Sequence, residues 1–166
     1  TNFITFVSVF NLLLSLFTDK RDIIIGSPFM NRSSINLENV IGFLANPLPI
    51  YVKVDFQKTF ADHYQEVKKV IQEAIENQNI PLEYIVDELG VSRTSSINPL
   101  FQVMFVLEEN KIPYSLNEVN LEKINIQSHT SKLDLTLTVI KEDLETICEF
   151  EYSTELFKTS TIKNLA

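Results

Sequence analysis

The sequence is poor in several residue types on which catalysis and ligand binding commonly depend. Its 166 residues include one cysteine, two histidines and three glycines. The single cysteine, Cys148, excludes an internal disulfide framework and is typical of a reducing compartment, so we expect a cytoplasmic protein. The glycines Gly26, Gly42 and Gly90 are too few and too scattered to form a glycine-rich phosphate loop.

The two histidines do not form a site by sequence alone. His63 lies in the first turn of a predicted helix and His129 in the polar stretch QSHTSK, so we expect both at the surface. They are far apart in the chain and no second cysteine accompanies them, which argues against a metal centre. No serine has the context of a nucleophile elbow. We therefore expect no catalytic residue and no metal site in this chain.

Charge and hydropathy exclude two further classes of partner. The 22 acidic and 14 basic residues give a net charge of −8 without a basic patch, so we do not expect the chain to bind nucleic acid. The longest apolar stretch, residues 3–17, is interrupted by polar residues and falls short of the roughly 18 apolar residues that span a membrane. A buried helix explains this stretch better. The chain opens inside it without an initiating methionine, and we expect a piece truncated at both ends.

The remaining patterns predict one mixed α/β unit without strict βαβ alternation. IIIG reads as a fully buried strand that Gly26 and Pro28 end, and Pro47 and Pro49 require an irregular or edge strand. Thr59 caps the clearest helix, which is predicted to end near residue 78. A shorter helix at 81–89 and a final one from about 160 follow. Strands are predicted over 100–107, 131–140 and 145–153, with a weaker one over 121–127.

Two polar side chains stand out against this background. Gln102 interrupts the apolar strand NPLFQVMFVL, where it is either a satisfied core or edge amide or a group facing a cleft. Arg32 follows the end of the IIIG strand, where a guanidinium is suited to a bidentate pair with a carboxylate. No carboxylate partner is near it in sequence.

Several motifs, in order, resemble those of condensation domains of nonribosomal peptide synthetases. Residues 22–32 are similar to the family element D-[IV]-V-[IV]-G-[TS]-P-x-x-x-R, and residues 41–52 to I-G-x-F-x-N-x-L-P-x-R-V. Four further segments match the family in the same order, and together they extend the resemblance over essentially the whole chain: NQNIPLE, RTSSINPLFQVMF, SKLDLTL and YSTELFKTSTIKNLA.

The resemblance implies a chloramphenicol acetyltransferase-like fold of two lobes with a tunnel between them. This chain would be the C-terminal lobe, because the family's His-His-x-x-x-Asp-Gly signature belongs to the first lobe and is absent here. In the family an acceptor amine attacks a carrier-bound thioester and forms an amide, a step of secondary metabolite biosynthesis. The implied partners are the N-terminal lobe, upstream and downstream carrier domains and an adjacent adenylation domain. Phosphopantetheine would arrive on the carriers rather than bind this chain as its own cofactor.

The resemblance also assigns residues. Arg32 would pair with the aspartate of the missing signature and support the catalytic loop. The tunnel-lining candidates are Asn46, Gln102, Met104 and Asp134. Whether the isolated chain is itself an enzyme stays open, and we expect it to be inactive alone.

The chain departs from the family pattern at five positions, which are Pro47, Tyr51, Asn77, Thr94 and Ile97. These departures leave the expected fold unchanged and leave the subtype and the activity of the intact domain open. The alternatives are a lobe of a related acyltransferase, an epimerisation or cyclisation domain, or a noncatalytic binding module.

Overall fold

The computed structural model describes residues 1–32, 34–92, 97–109, 115–116, 119–120, 124, 130–142 and 145–166. The helices are α1 (Asn2–Thr18), α2 (Ile35–Glu38), α3 (Phe60–Glu76), α4 (Leu82–Glu88) and α5 (Thr159–Leu165). The strands are β1 (Asp22–Phe29), β2 (Asn46–Lys53), β3 (Val103–Glu109), β4 (Ser115–Leu116), β5 (Val119–Asn120), β6 (Leu135–Lys141) and β7 (Thr146–Tyr152). His129 lies outside the described residues, as does the predicted strand over 121–127 apart from Ile124.

Five strands form one mixed sheet in the order β2-β1-β3-β6-β7. The inner pairs β1–β3 and β3–β6 are parallel, whereas β2 and β7 join antiparallel at the two sides. The predicted edge position of the strand with Pro47 and Pro49 is confirmed. Proline has no backbone N–H to donate to a neighbouring strand, so an edge strand tolerates it best. β4 and β5 form a separate two-stranded pair.

β1 differs from its prediction in two ways. Gly26 and Pro28 do not end the strand, which continues to Phe29 because β2 pairs with it along all eight residues. The strand is not fully buried either, since Ile24 is 37% exposed. Ile23 and Ile25 face the core while Ile24 and Gly26 face the other side, so β1 alternates as a strand covered by helices on one face only.

The helices α1 and α3 cover one face of the sheet and enclose the core. The same face receives alternate residues of β2, β3 and β6, as predicted for the strands with period-2 patterns. Phe105 at the centre contacts two rings of α1 edge-on or tilted, with centroids 5.4 Å from Phe3 and 6.3 Å from Phe10. The fully buried part of this core includes Val7, Phe10, Ile25, Ile50, Val67, Phe105 and Val139.

The start of α3 follows its sequence signal. The Thr59 hydroxyl accepts from the Asp62 N–H at 3.2 Å, and the Asp62 carboxylate accepts from the Thr59 N–H at 3.2 Å, which completes a capping box. The hydrogen bonds from Thr59 hold the pKa of the Asp62 carboxyl below its usual value. The face of α3 that packs on the core is narrower than predicted, because Phe60 and Ile75 remain 47% and 39% exposed.

His63 is buried, contrary to the prediction of a surface histidine. Its side chain is 3% exposed between α3 and α1, where its Nε2 lies 3.2 Å from the Ser8 carbonyl oxygen. A carbonyl only accepts, so Nε2 carries the proton in this contact. Ser8 makes room for the ring, since its small side chain is fully buried and its hydroxyl donates to the Ile4 carbonyl at 2.7 Å.

We expect the burial of His63 to make stability depend on pH. Burial lowers the pKa of His63 from its ordinary 6.5, despite the Ser8 carbonyl and the nearby Glu66 carboxylate. The unfolded chain therefore takes up a proton more readily than the folded chain. The free energy of unfolding therefore has its full value above pH 6.5 and falls as the pH drops below 6.5. The total loss is about 1.4 kcal/mol for each unit by which folding lowers the pKa of His63.

Urea unfolding between pH 8 and pH 5.5 measures this dependence. His63→Gln should flatten the profile. The same slope in the wild type and in His63→Gln would show that another group is responsible.

Candidate functional site

The sheet face opposite the helices carries a cavity of about 690 Å³. This volume lies in the range of small-molecule sites. Its lining residues are Pro47, Asn98, Phe101, Met104, Val106, Glu108, Thr130, Lys132, Leu133, Thr136 and Glu151.

Strand alternation explains which residues line the cavity. Met104 and Val106 of β3 face the cavity because Phe105 between them faces the core. Met104 is in register with Thr136 of β6, and Thr136 is in register with Glu151 of β7, so the three form one row across the sheet. Residues from both edge strands contribute, and four strand spacings of about 4.8 Å give a face roughly 19 Å wide.

Phe101 forms part of the cavity wall, and its ring lies against Gly26 of β1, which has no side chain. A Cβ built on Gly26 would lie 2.2 Å from Cε2 and 2.4 Å from Cδ2 of the Phe101 ring. The ring therefore occupies the space that a side chain at position 26 would need. Phe101 is only 1% exposed, although it borders the cavity.

The turn before β3 is held by Asn98 and Gln102. The Asn98 side-chain oxygen accepts from the N–H groups of Leu100 at 3.0 Å and Phe101 at 3.2 Å. The Gln102 side-chain Nε2 donates back to the Asn98 carbonyl at 2.8 Å. The polar residue in this apolar run therefore closes the turn that positions Phe101, and the strand begins at Val103 rather than at Leu100.

The rim of the cavity carries charge. Glu108 and Glu151 contribute two carboxylates and Lys132 one ammonium group. Among the described residues no ion pair joins any of these three, whereas Lys58–Glu66 and Lys69–Glu73 do pair elsewhere. A partly apolar face with exposed charges beside it can bind a flexible chain that is apolar at one end and polar at the other.

Arg32 lies on the loop between β1 and β2 and binds backbone carbonyls. Its Nη1 donates to the Leu37 carbonyl and to the Val40 carbonyl, the second at 2.9 Å. These two carbonyls lie at and just beyond the end of α2, so the guanidinium holds a loop in shape within its own chain. Sequence reasoning anticipated a carboxylate partner and did not anticipate these carbonyls.

The four tunnel-lining candidates lie in different settings. Met104 lines the cavity, whereas Asn46, Gln102 and Asp134 are not among its lining residues. The Asn46 Nδ2 donates to the carbonyls of Gln78 at 2.9 Å and Ile80 at 2.8 Å, which ties β2 to the turn after α3.

Asp134 connects strands through its backbone. Its N–H donates to the Gln102 carbonyl at 3.0 Å, and its carbonyl accepts from the Ser153 N–H at 3.0 Å. Asp134 thus lies at the end of the sheet where β3 and β6 begin and β7 ends.

Two buried side chains of types that commonly take part in catalysis are bound to backbone carbonyls of the same chain. His63 is engaged with Ser8, and the buried Ser27 hydroxyl donates to the Phe105 carbonyl at 2.8 Å. No described cluster of three or more histidine, cysteine or acidic side chains could hold a metal ion. Likewise, the helices of the described ranges are all too short or too polar to cross a membrane.

Two residues important for the cavity were not identified from sequence. Gly26 has a local signal, because an isolated glycine inside a β-branched strand suggests a close approach by another group. Asn98 also has one, because an asparagine before a proline commonly starts a turn. Neither signal reveals that the two residues act on the same ring.

Comparison with known proteins gives consistent matches. The family model described as Condensation domain matches residues 4–166. Phosphinothricin tripeptide synthetase PhsC of Streptomyces viridochromogenes is 37% identical over 168 residues, covering 99% of this chain and 15% of that protein. Gramicidin S synthase 2 of Brevibacillus brevis is 33% identical over 167 residues, covering 100% and 4%. The chain thus spans only a small part of the length of these curated relatives.

Two solved structures share the fold. Holo-AB3403, a four domain nonribosomal peptide synthetase bound to AMP and glycine, superposes with a TM-score of 0.88 at 23% identity, covering 99% of this chain and 14% of that one. The condensation domain from the monacolin K polyketide synthase MokA gives a TM-score of 0.85 at 19% identity, covering 99% and 39%. The predicted fold class, mixed α/β and chloramphenicol acetyltransferase-like, is confirmed.

Proposed function

The chain belongs to the condensation domain family, and from this premise we propose that it is the C-terminal lobe of a nonribosomal peptide synthetase condensation domain. The observation that carries the proposal is the family match over residues 4–166. In this role the lobe supplies one wall of a tunnel and part of the surface on which carrier domains dock.

Two observations support the assignment to one lobe. The match to the MokA condensation domain covers 99% of this chain but 39% of that structure, so most of that fold has no counterpart in this sequence. The loop that Arg32 holds also presents apolar side chains to solvent, with Ile41 and Phe43 at least 92% exposed. Exposed apolar groups of this kind are typical of a surface that another part of the protein covers. The N-terminal lobe is the proposed cover.

The proposed reaction joins two carrier-bound groups. The amine nitrogen of the acceptor forms a bond to the thioester carbonyl carbon, the carbon–sulfur bond breaks, and the proton lost by the amine balances the departing thiolate. This chain would position the thioester and exclude water, and the first lobe would supply the histidines. Phosphopantetheine arms would deliver both substrates from upstream and downstream carrier domains. An adenylation domain would be a further, adjacent partner.

Reconstitution tests the proposal. Residues 1–166 are fused behind the first lobe of the parent synthetase, and carriers loaded with acyl and aminoacyl groups are added. We expect amide product by mass spectrometry from the fusion and none from either lobe alone. Turnover by residues 1–166 alone would contradict the lobe assignment.

The same fusion separates the alternatives when its binding to the loaded carriers is measured beside product formation. A noncatalytic binding module would retain carrier binding in the fusion without amide product. An epimerisation or cyclisation domain would return a stereoisomer or a heterocycle in place of the simple amide.

A further inference from the structure

We propose that the cavity on the open sheet face is a subsite for the apolar chain of the thioester substrate, and that Phe101 determines how far this chain enters. The inference rests on the proposed function, because it takes the substrate to be a carrier-bound acyl or aminoacyl group. It assigns a role in substrate selection to a residue whose ring is otherwise part of the buried interior.

The chemistry of the lining indicates the class of ligand. Pro47, Phe101, Met104, Val106 and Leu133 supply the apolar part of the lining. Asn98, Thr130 and Thr136 add neutral polar groups, and Glu108, Lys132 and Glu151 add charged side chains that are exposed to solvent. Burial of each methylene against such walls is favourable, and a polar end is best left near the charged rim. An amphiphilic thioester arm with a hydrocarbon end fits this arrangement.

The rigidity of Phe101 gives the subsite a fixed depth. Its ring lies against the backbone of Gly26, so it cannot retreat toward β1. Its backbone N–H is bound by the Asn98 side chain at 3.2 Å, and Gln102 locks the same turn at 2.8 Å. A wall held from two directions selects ligands by length more sharply than a flexible one, because a longer chain cannot displace it.

The two methionines of the chain provide a direct measurement. Met104 lines the cavity, whereas Met30 is 74% exposed and is not among the lining residues. The purified chain, labelled with ¹³C at the methionine methyl groups, is titrated with nonhydrolysable acyl-aminopantetheine amides of two to twelve carbons. We expect the Met104 signal to shift and the Met30 signal to stay in place. Affinity should rise about fourfold per methylene and then stop rising at one chain length.

Phe101→Leu tests the identity of the limiting residue. The smaller side chain should extend the rise in affinity by one or two carbons, so the longest ligands gain about fourfold to fifteenfold over their affinity for the wild type. Phe105→Leu is the matched control, because it makes the same change on a nearby core residue, which is 0% exposed and does not line the cavity. Its length limit should equal that of the wild type.

Three results would overturn the inference: no shift of Met104 with any ligand, affinity that does not depend on chain length in the wild type, or a length limit that Phe101→Leu leaves unchanged. The wild-type series tests the subsite even where a variant does not fold. Amide formation by the fused lobes is measured separately, so the subsite can fail while the proposed function stands.

Discussion

Gly26→Ala should lower the free energy of unfolding by about 3 kcal/mol, which changes the folding equilibrium roughly 150-fold. The new Cβ would lie 2.2 to 2.6 Å from three atoms of the Phe101 ring, and real Cβ atoms essentially never approach that closely. Alanine gains roughly 0.5–1 kcal/mol over glycine inside a strand through backbone entropy, so the steric cost dominates. Urea unfolding of the purified chain measures the difference.

Gly42→Ala is the control for this substitution. A Cβ at Gly42 would have no heavy atom within 4 Å, so this variant should be as stable as the wild type or slightly more stable. In the double variant Gly26→Ala/Phe101→Leu the smaller side chain removes ring atoms, and the two effects should be less than additive. Full additivity, or an unchanged stability of Gly26→Ala, would show that the ring moves aside without cost.

Arg32→Ala should loosen the loop between β1 and β2 and, in the fused two-lobe protein, reduce amide formation at least tenfold. Removal of the guanidinium breaks the bonds to the Leu37 and Val40 carbonyls. Hydrogen bonds to charged groups contribute about 1.5–3 kcal/mol each, and solvent access reduces this to about 2 kcal/mol for the pair. Hydrogen exchange of residues 34–43 should therefore accelerate roughly thirtyfold, as measured by mass spectrometry.

Two further variants separate the roles that Arg32 could have. Arg21→Ala removes another arginine, whose guanidinium lies 5.9 Å from the Phe56 ring centre, and should affect neither loop exchange nor product formation. Arg32→Lys keeps the charge without the planar fork. If Arg32 pairs with an aspartate of the first lobe, as the family resemblance implies, Arg32→Lys should restore part of the activity. Loss of activity without faster exchange would mean that the carbonyl bonds are unimportant.

Local signals were sufficient for most of the fold. The Thr59 and Asp62 capping pair marks the start of α3, and alternation along β6 identifies the residues that face the core. Prolines at positions 47 and 49 correctly place β2 at an edge. Each of these signals acts within a few residues, so it can be read before any tertiary contact is known.

The errors share a physical cause, which is contact between distant segments. His63 looks like a surface residue in α3, and only the approach of Ser8, 55 positions earlier, buries it. Gly26 looks like the end of a strand because glycine commonly marks a turn. The ring that it accommodates, Phe101, comes from a distant part of the chain and leaves no local signal. The cavity has the same origin, since its walls come from four strands and two loops.

The parallel pairing of β1 with β3 has a consequence for synthesis of the chain. The Ser27 hydroxyl and the Phe105 carbonyl that it contacts are separated by 78 positions. At 5–20 residues per second the ribosome needs roughly 4 to 16 s to supply β3 after β1 has emerged. β2 can pair with β1 early, but the other edge of this isoleucine-rich strand stays unpaired throughout that interval. We therefore expect nascent chains to be vulnerable to aggregation and to chaperone capture before residue 103 is made.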